Sequence, residues 1–140
     1  MTTEAILIII GATIFSLLGG VHLFYTFFTN KFEAYDSDIT ETMKTNSIIL
    51  TKETTIWNAW IGFNASHSFG ALLLGLFYIP LVFNHWAVVT DTVWFSFLPC
   101  LVGISYLVLA KRYWFKTPLI GISIATFCFI VSFIRLHVIS

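Results

Sequence analysis

The stretch Trp57-Asn58-Ala59-Trp60-Ile61-Gly62-Phe63-Asn64-Ala65-Ser66-His67-Ser68-Phe69-Gly70 gathers most of the chain's chemistry-capable side chains inside an apolar segment. At helical spacing Trp57, Trp60, Asn64 and His67 recur three and four residues apart, so they share one face. Imidazole, amide and hydroxyl groups at that spacing can hydrogen-bond a polar ligand. Two imidazoles on opposed helices can also ligate haem iron. A helix in hydrocarbon does not carry such groups without partners, because each unsatisfied polar group there costs several kcal/mol. The face must therefore meet another helix, a ligand or a wet cavity.

His22, in the last third of the first apolar stretch, is the natural partner. Measured from the adjoining ends of the two stretches, it lies closer in level to Asn64 than to His67. The two histidines differ in depth by about 6 Å at 1.5 Å per residue. A direct His22–Asn64 contact, or a water-bridged His22–His67 link, is expected. The candidate ligand-binding set is His22, Asn64, Ser66 and His67, with Trp57, Trp60 and Tyr25 lining the mouth of the site. Haem held between His22 and His67 is the alternative. No Asp or Glu lies in the middle of an apolar stretch, and there is neither a carboxylate pair nor a clustered His motif of the membrane hydroxylase kind. The expectation is therefore a non-enzymatic role with no metal site beyond that haem alternative: a small-molecule or lipid binder, or a membrane scaffold. An oligomeric channel or transporter subunit is a further alternative; four spans without midspan charge or inverted repeat make a poor transporter alone.

A second stripe in the same segment, Gly62, Ser66 and Gly70, repeats at i+4. Small residues at that spacing let a neighbouring helix approach closely, so these three are expected to pack a helix.

The elements that must position these residues follow from composition. Of 140 residues, 58% are hydrophobic and 10% charged, with a formal net charge of +0. Soluble domains carry about 25% charged residues, so the solvent here is lipid. The pattern predicts an all-α, four-transmembrane-helix bundle filling one membrane domain over residues 1–140. Its spans are roughly 5–28, 56–81, 88–110 and 117–138, and a polar loop at 29–55 has room for a short interfacial helix capped by Ser37 or Asp38. Pro80 marks the exit of the second span, and Thr51 and Glu53 suit its capped, acid-rich first turn. The first span follows Met1-Thr2-Thr3-Glu4 without Lys or Arg and is longer than a signal h-region, so it is expected to be retained. Cys100 and Cys128 both fall in apolar spans and behave as small hydrophobes.

Lys31, Lys44, Lys52, Lys111, Arg112 and Lys116 flank one side of the spans, and Arg135 alone flanks the other. The positive-inside rule then puts loops one and three in the cytoplasm and both termini outside. The run Lys111-Arg112-Tyr113-Trp114-Phe115-Lys116 has the composition of an interfacial anchor; nothing points to nucleic acid. Glu4, Asp91 and Arg135, near the outer ends of spans one, three and four, are candidates for an interfacial ion-pair network.

The residues Gly19, His22 and Leu23, followed by Trp57, Trp60, Gly62, Phe63, Asn64, Ser66, His67, Ser68 and Gly70, form a pattern. It resembles a group of small bacterial four-helix integral membrane proteins that share Gly-x-x-His-Leu at the end of helix one and Trp-x-x-Trp-x-Gly-Phe-Asn-x-Ser-His-Ser-x-Gly opening helix two. The resemblance covers the first half of the chain. It implies the four-helix fold and a bacterial inner-membrane location, and brings no activity with it. Size and helix count alone give a looser likeness to DoxX-like proteins. A homo-oligomer in the bilayer is compatible with this pattern.

Overall fold

The computed structural model describes residues 1–139, and Ser140 lies outside the described residues. Six helices and one small hairpin follow in the order α1 (Thr3–Phe28), α2 (Ser37–Thr45), β1 (Ser47–Ile48), β2 (Thr51–Thr55), α3 (Ile56–Asn84), α4 (Trp86–Asp91), α5 (Val93–Tyr113) and α6 (Lys116–His137). Helices α1, α3, α5 and α6 are each long and apolar enough to cross a membrane. The fold is the expected all-α bundle, and the protein is a multi-pass membrane protein.

The chain divides into two compact units. One comprises Met1–Leu18 with the described residues from Ala71 on; the other is Gly19–Gly70.

In the first unit Ala5, Ile8, Ala12 and Phe15 of α1 are buried at i+3 and i+4 spacing, as are Ile122, Ala125 and Phe129 of α6. Lipid supplies no hydrophobic drive between helices, so close packing over small residues must hold them. A Cβ at Gly11 would stand 2.5 Å from the Phe129 ring, and one at Gly103 would stand 2.8 Å from Thr126 Oγ1. A Cβ at Gly75 would collide with Ser16 Oγ and the Ala12 carbonyl. These contacts tie α1 to α6, α5 to α6, and α3 to α1. Among the described residues, Ser16 Oγ and Thr126 Oγ1 are buried hydroxyls without a hydrogen-bond partner, and they are the groups that occupy the Gly75 and Gly103 notches. They serve there as small volumes, not as polar anchors.

Pro99, buried inside α5, has no N–H, which leaves the carbonyl of Phe95 four residues earlier without its helical donor. The Tyr78 hydroxyl supplies one from α3, donating to Phe95 O at 2.8 Å. Tyr78 is 1% exposed, so Tyr78→Phe strands a buried carbonyl. It is expected to cost about 1–2 kcal/mol in a detergent unfolding titration. Pro99→Ala restores a donor within α5, so Tyr78→Phe should cost much less on that background. Equal losses on both backgrounds would show that the hydroxyl is not substituting for the missing N–H.

At one end of this unit Arg135 Nε, in the last turn of α6, contacts Glu4 Oε1, in the first turn of α1, at 2.7 Å. Ser132 Oγ donates to the Glu4 carbonyl at 3.0 Å. Each charge opposes the dipole end it sits on. Asp91 does not join the pair: its Oδ1 accepts from Thr90 Oγ1 at 2.9 Å, and among the described residues the ion pairs are Arg135–Glu4 and Lys44–Glu41. The reason lies in a helix the sequence pattern conceals. Extended Thr92 separates α4 from α5, so Asp91 ends a short helix of its own.

Three expected boundaries also shift. Pro80 lies inside α3, which continues to Asn84, as membrane helices tolerate. Residues 51–55 form β2, paired antiparallel with β1. Three β-branched threonines favour the strand over a helical turn. The cap of α3 is then Thr55, whose Oγ1 accepts from Asn58 N at 3.1 Å. Helix α2 is capped by Asp36, which accepts from Asp38 N, rather than by Ser37 or Asp38.

Candidate functional site

The site lies within the Gly19–Gly70 unit, which holds the C-terminal end of α1, the loop with α2 and the hairpin, and the N-terminal end of α3. His22 stands six residues before the end of α1 at Phe28, or about 9 Å inside it. Its Nε2 is 3.2 Å from Asn64 Oδ1 on α3. The Asn64 amide nitrogen donates to Trp60 O at 2.8 Å. Since a carbonyl can only accept, that bond fixes which end of the amide faces His22. Asn64 presents its oxygen, and His22 Nε2 therefore carries the proton and donates. The neutral His22 ring keeps its lone pair on Nδ1.

The chain of contacts closes on itself. Trp60 Nε1 donates to the carbonyl of Phe32 at 3.1 Å. The Phe32 ring lies against His22 with centroids 4.8 Å apart, and also against Trp60 at 6.2 Å. His22, Asn64, Trp60 and Phe32 thus form a ring of four that fastens the loop segment across the paired helix ends. His67, half-buried one turn further along α3, meets His22 edge-on with centroids 5.8 Å apart. Ser68 Oγ donates to Asn64 O at 2.5 Å, and Thr26 Oγ1 to His22 O at 2.9 Å. These back-bonds satisfy hydroxyls inside their own helices.

Of the expected site residues, His22, Asn64, His67 and Trp60 converge. Ser66 does not: it is exposed, and its hydroxyl donates to Phe63 O at 3.1 Å on its own helix. Trp57 is turned to the loop, where Lys44 Nζ stands 5.6 Å from its ring centroid. Tyr25 is exposed and carries Lys31 Nζ at 5.3 Å. The expected packing stripe is overturned within the chain. Gly62, Ser66 and Gly70 are all exposed, and a Cβ at Gly62 would meet nothing within 4 Å. The i+4 pattern marks a smooth face, and the polar face of α3 takes the inward side because its groups need partners.

Phe32 is the site residue the sequence did not announce. The one signal for it is Trp60 itself, whose indole N–H is a lone donor that can take a loop carbonyl as acceptor.

Beside the loop, Asn30, Glu33, Ala34, Tyr35, Ser37, Thr40, Glu41 and Lys44 line an open polar cavity of about 490 Å³. The Glu41 carboxylate, bonded to Lys44 Nζ at 2.9 Å, raises the Lys44 pKa above the ordinary lysine value.

A serine–histidine pair occurs elsewhere. His137 Nε2 is 2.7 Å from Ser96 Oγ, and Ser96 also donates to Val93 O at 2.9 Å. With its one proton used and its side chain 2% exposed, Ser96 is not a nucleophile. The pair joins α5 to α6, and His137 is half-buried. Among the described residues no three His, Cys, Asp or Glu side chains converge on a metal position.

No protein-family model, curated protein or solved structure matches this chain. Fold and site together define a class, a multi-pass all-α membrane protein with a polar imidazole–amide cluster between two of its spans.

Proposed function

We propose that the protein binds a small molecule or lipid whose polar head hydrogen-bonds the His22–His67 pair. The observation that carries this reading is the closed ring of His22, Asn64, Trp60 and Phe32. It holds one imidazole in a fixed tautomer beside a second, with the Phe32 ring against the first. Such preorganisation suits an amphipathic ligand with a carbonyl or hydroxyl head. The test is direct. Protein purified in mild detergent is denatured, and its organic extract is compared by mass spectrometry with that of His67→Phe. One compound near equimolar with the wild type and depleted in the variant supports the reading. No such compound, or equal amounts in both, overturns it.

The haem alternative needs a lone pair from each ring aimed at one iron. His22 commits its Nε2 to Asn64, which leaves only the Nδ1 lone pair, on the ring edge nearest its own backbone, so the geometry does not favour it. A Soret band in the purified protein would reinstate it.

The protein resides, in this proposal, in a bacterial inner membrane with both termini outside. Six cations flank the inner side and Arg135 alone the outer. A cysteine at Ser37 should be shielded from an impermeant thiol reagent in intact cells, and one at Ile139 should be labelled. The reverse pattern would refute the orientation.

A further inference from the structure

We propose that the α5–α6 connection is a docking surface for anionic phospholipid headgroups. Lys111 and Arg112 lie in the last turn of α5 and Lys116 is the first residue of α6, with Trp114 and Phe115 alone between the helices besides Tyr113 at the α5 end. All three cations are exposed. None belongs to an ion pair among the described residues, and the sequence has no Asp or Glu after Asp91 to neutralise them. Arg112 lies over the Tyr113 ring, 5.7 Å from its centroid, and not on a carboxylate.

The backbone adds to the same field. Helix α6 begins at Lys116 with Phe115 as its cap residue and no side-chain hydrogen bond to the cap. The N–H groups of Lys116 and Thr117 fall in the first turn, where no intrahelical carbonyl reaches them, at the positive end of the dipole. Both neighbouring helices are spans, so this connection must sit at a bilayer interface. Exposed Tyr113 and Phe115 flank the cations there, the composition of a headgroup-level belt. Three unpaired cations, free N–H donors and an aromatic rim match a phosphodiester held at that depth. A membrane lipid delivers one at high local concentration, which is why we assign the surface to lipid rather than to free phosphate.

The test uses the full chain in phosphatidylcholine vesicles with phosphatidylglycerol brominated on its acyl chains, read by quenching of tryptophan fluorescence. The wild type should prefer brominated phosphatidylglycerol over brominated phosphatidylcholine, by roughly 5-fold for each cation engaged. The preference should collapse in 1 M salt, where the Debye length is about 3 Å. Lys111→Gln/Arg112→Gln/Lys116→Gln should lose it. Lys111→Arg/Lys116→Arg should keep it, and so should Lys31→Gln/Lys52→Gln, which changes loop one. The proposal is overturned if the triple glutamine variant retains the preference while the helical signal stays native. It is equally overturned if the loop-one variant loses as much, or if millimolar inorganic phosphate displaces the lipid.

Discussion

Gly75→Ala should be the most damaging single-methyl change in this protein, on the order of 3 kcal/mol by unfolding in mixed detergent micelles. Most overpacking relaxes by moving a flexible side chain. Here the added Cβ would collide with Ser16 Oγ and with the backbone carbonyl of Ala12, and a helix backbone cannot yield without shifting all of α1. The double variant separates the two causes. Ser16→Ala removes a buried hydroxyl that has no hydrogen-bond partner, so alone it should be neutral or stabilising. It should not rescue Gly75→Ala, because the Ala12 carbonyl remains. Gly62→Ala is the control: its Cβ meets open space, and alanine's helix propensity predicts a neutral or slightly favourable change of up to about 1 kcal/mol. Should Ser16→Ala restore stability, the close approach of α3 to α1 is not a backbone contact. Should Gly62→Ala prove as costly as Gly75→Ala, the exposed face of α3 is occupied by something outside this chain.

That contrast also shows what the sequence could and could not reveal. Length and apolarity alone mark the four spans, because the bilayer sets both, and their limits were readable to within a few residues except at the third. Which glycines pack was not readable. Gly62, Ser66 and Gly70 carry the recognisable i+4 spacing, whereas Gly11, Gly75 and Gly103 stand singly, each on a different helix, and meet their neighbours one at a time. Periodicity reports one helix's own geometry, and packing depends on two. The hairpin at 47–55 is hidden from the sequence pattern for a related reason: Thr51 and Glu53 satisfy a capping pattern locally, but pairing with Ser47 and Ile48 overrides it. The His22–Asn64 contact was legible because counting residues from span ends is a depth measurement, and the two side chains came out at nearly one level. Phe32 was not, since a loop residue has no such ruler.

Asn64→Leu should have the largest effect of any change in the polar cluster, about 1–2 kcal/mol in the same unfolding assay. The amide is the one group that both accepts and donates in the ring, so its loss strands the His22 Nε2 proton and opens the ring, while the Trp60 carbonyl keeps the backbone N–H of residue 64. Ser66→Ala, two residues along the same helix, should change stability by less than about 0.5 kcal/mol, since that exposed hydroxyl answers only to Phe63 of its own turn. Coupling supplies the sharper check. If the two side chains act on each other, His22→Phe should cost less in the Asn64→Leu background than in the wild type. Imidazole nitrogen shifts read the same geometry directly. His22 should be the Nε2–H tautomer whenever it is neutral, because Asn64 faces it with oxygen, and Asn64→Leu should release that bias. An Nδ1–H tautomer in the wild type would mean the amide is turned the other way. The ring of contacts would then be open, and the preorganised imidazole on which the ligand-binding proposal rests would be lost with it.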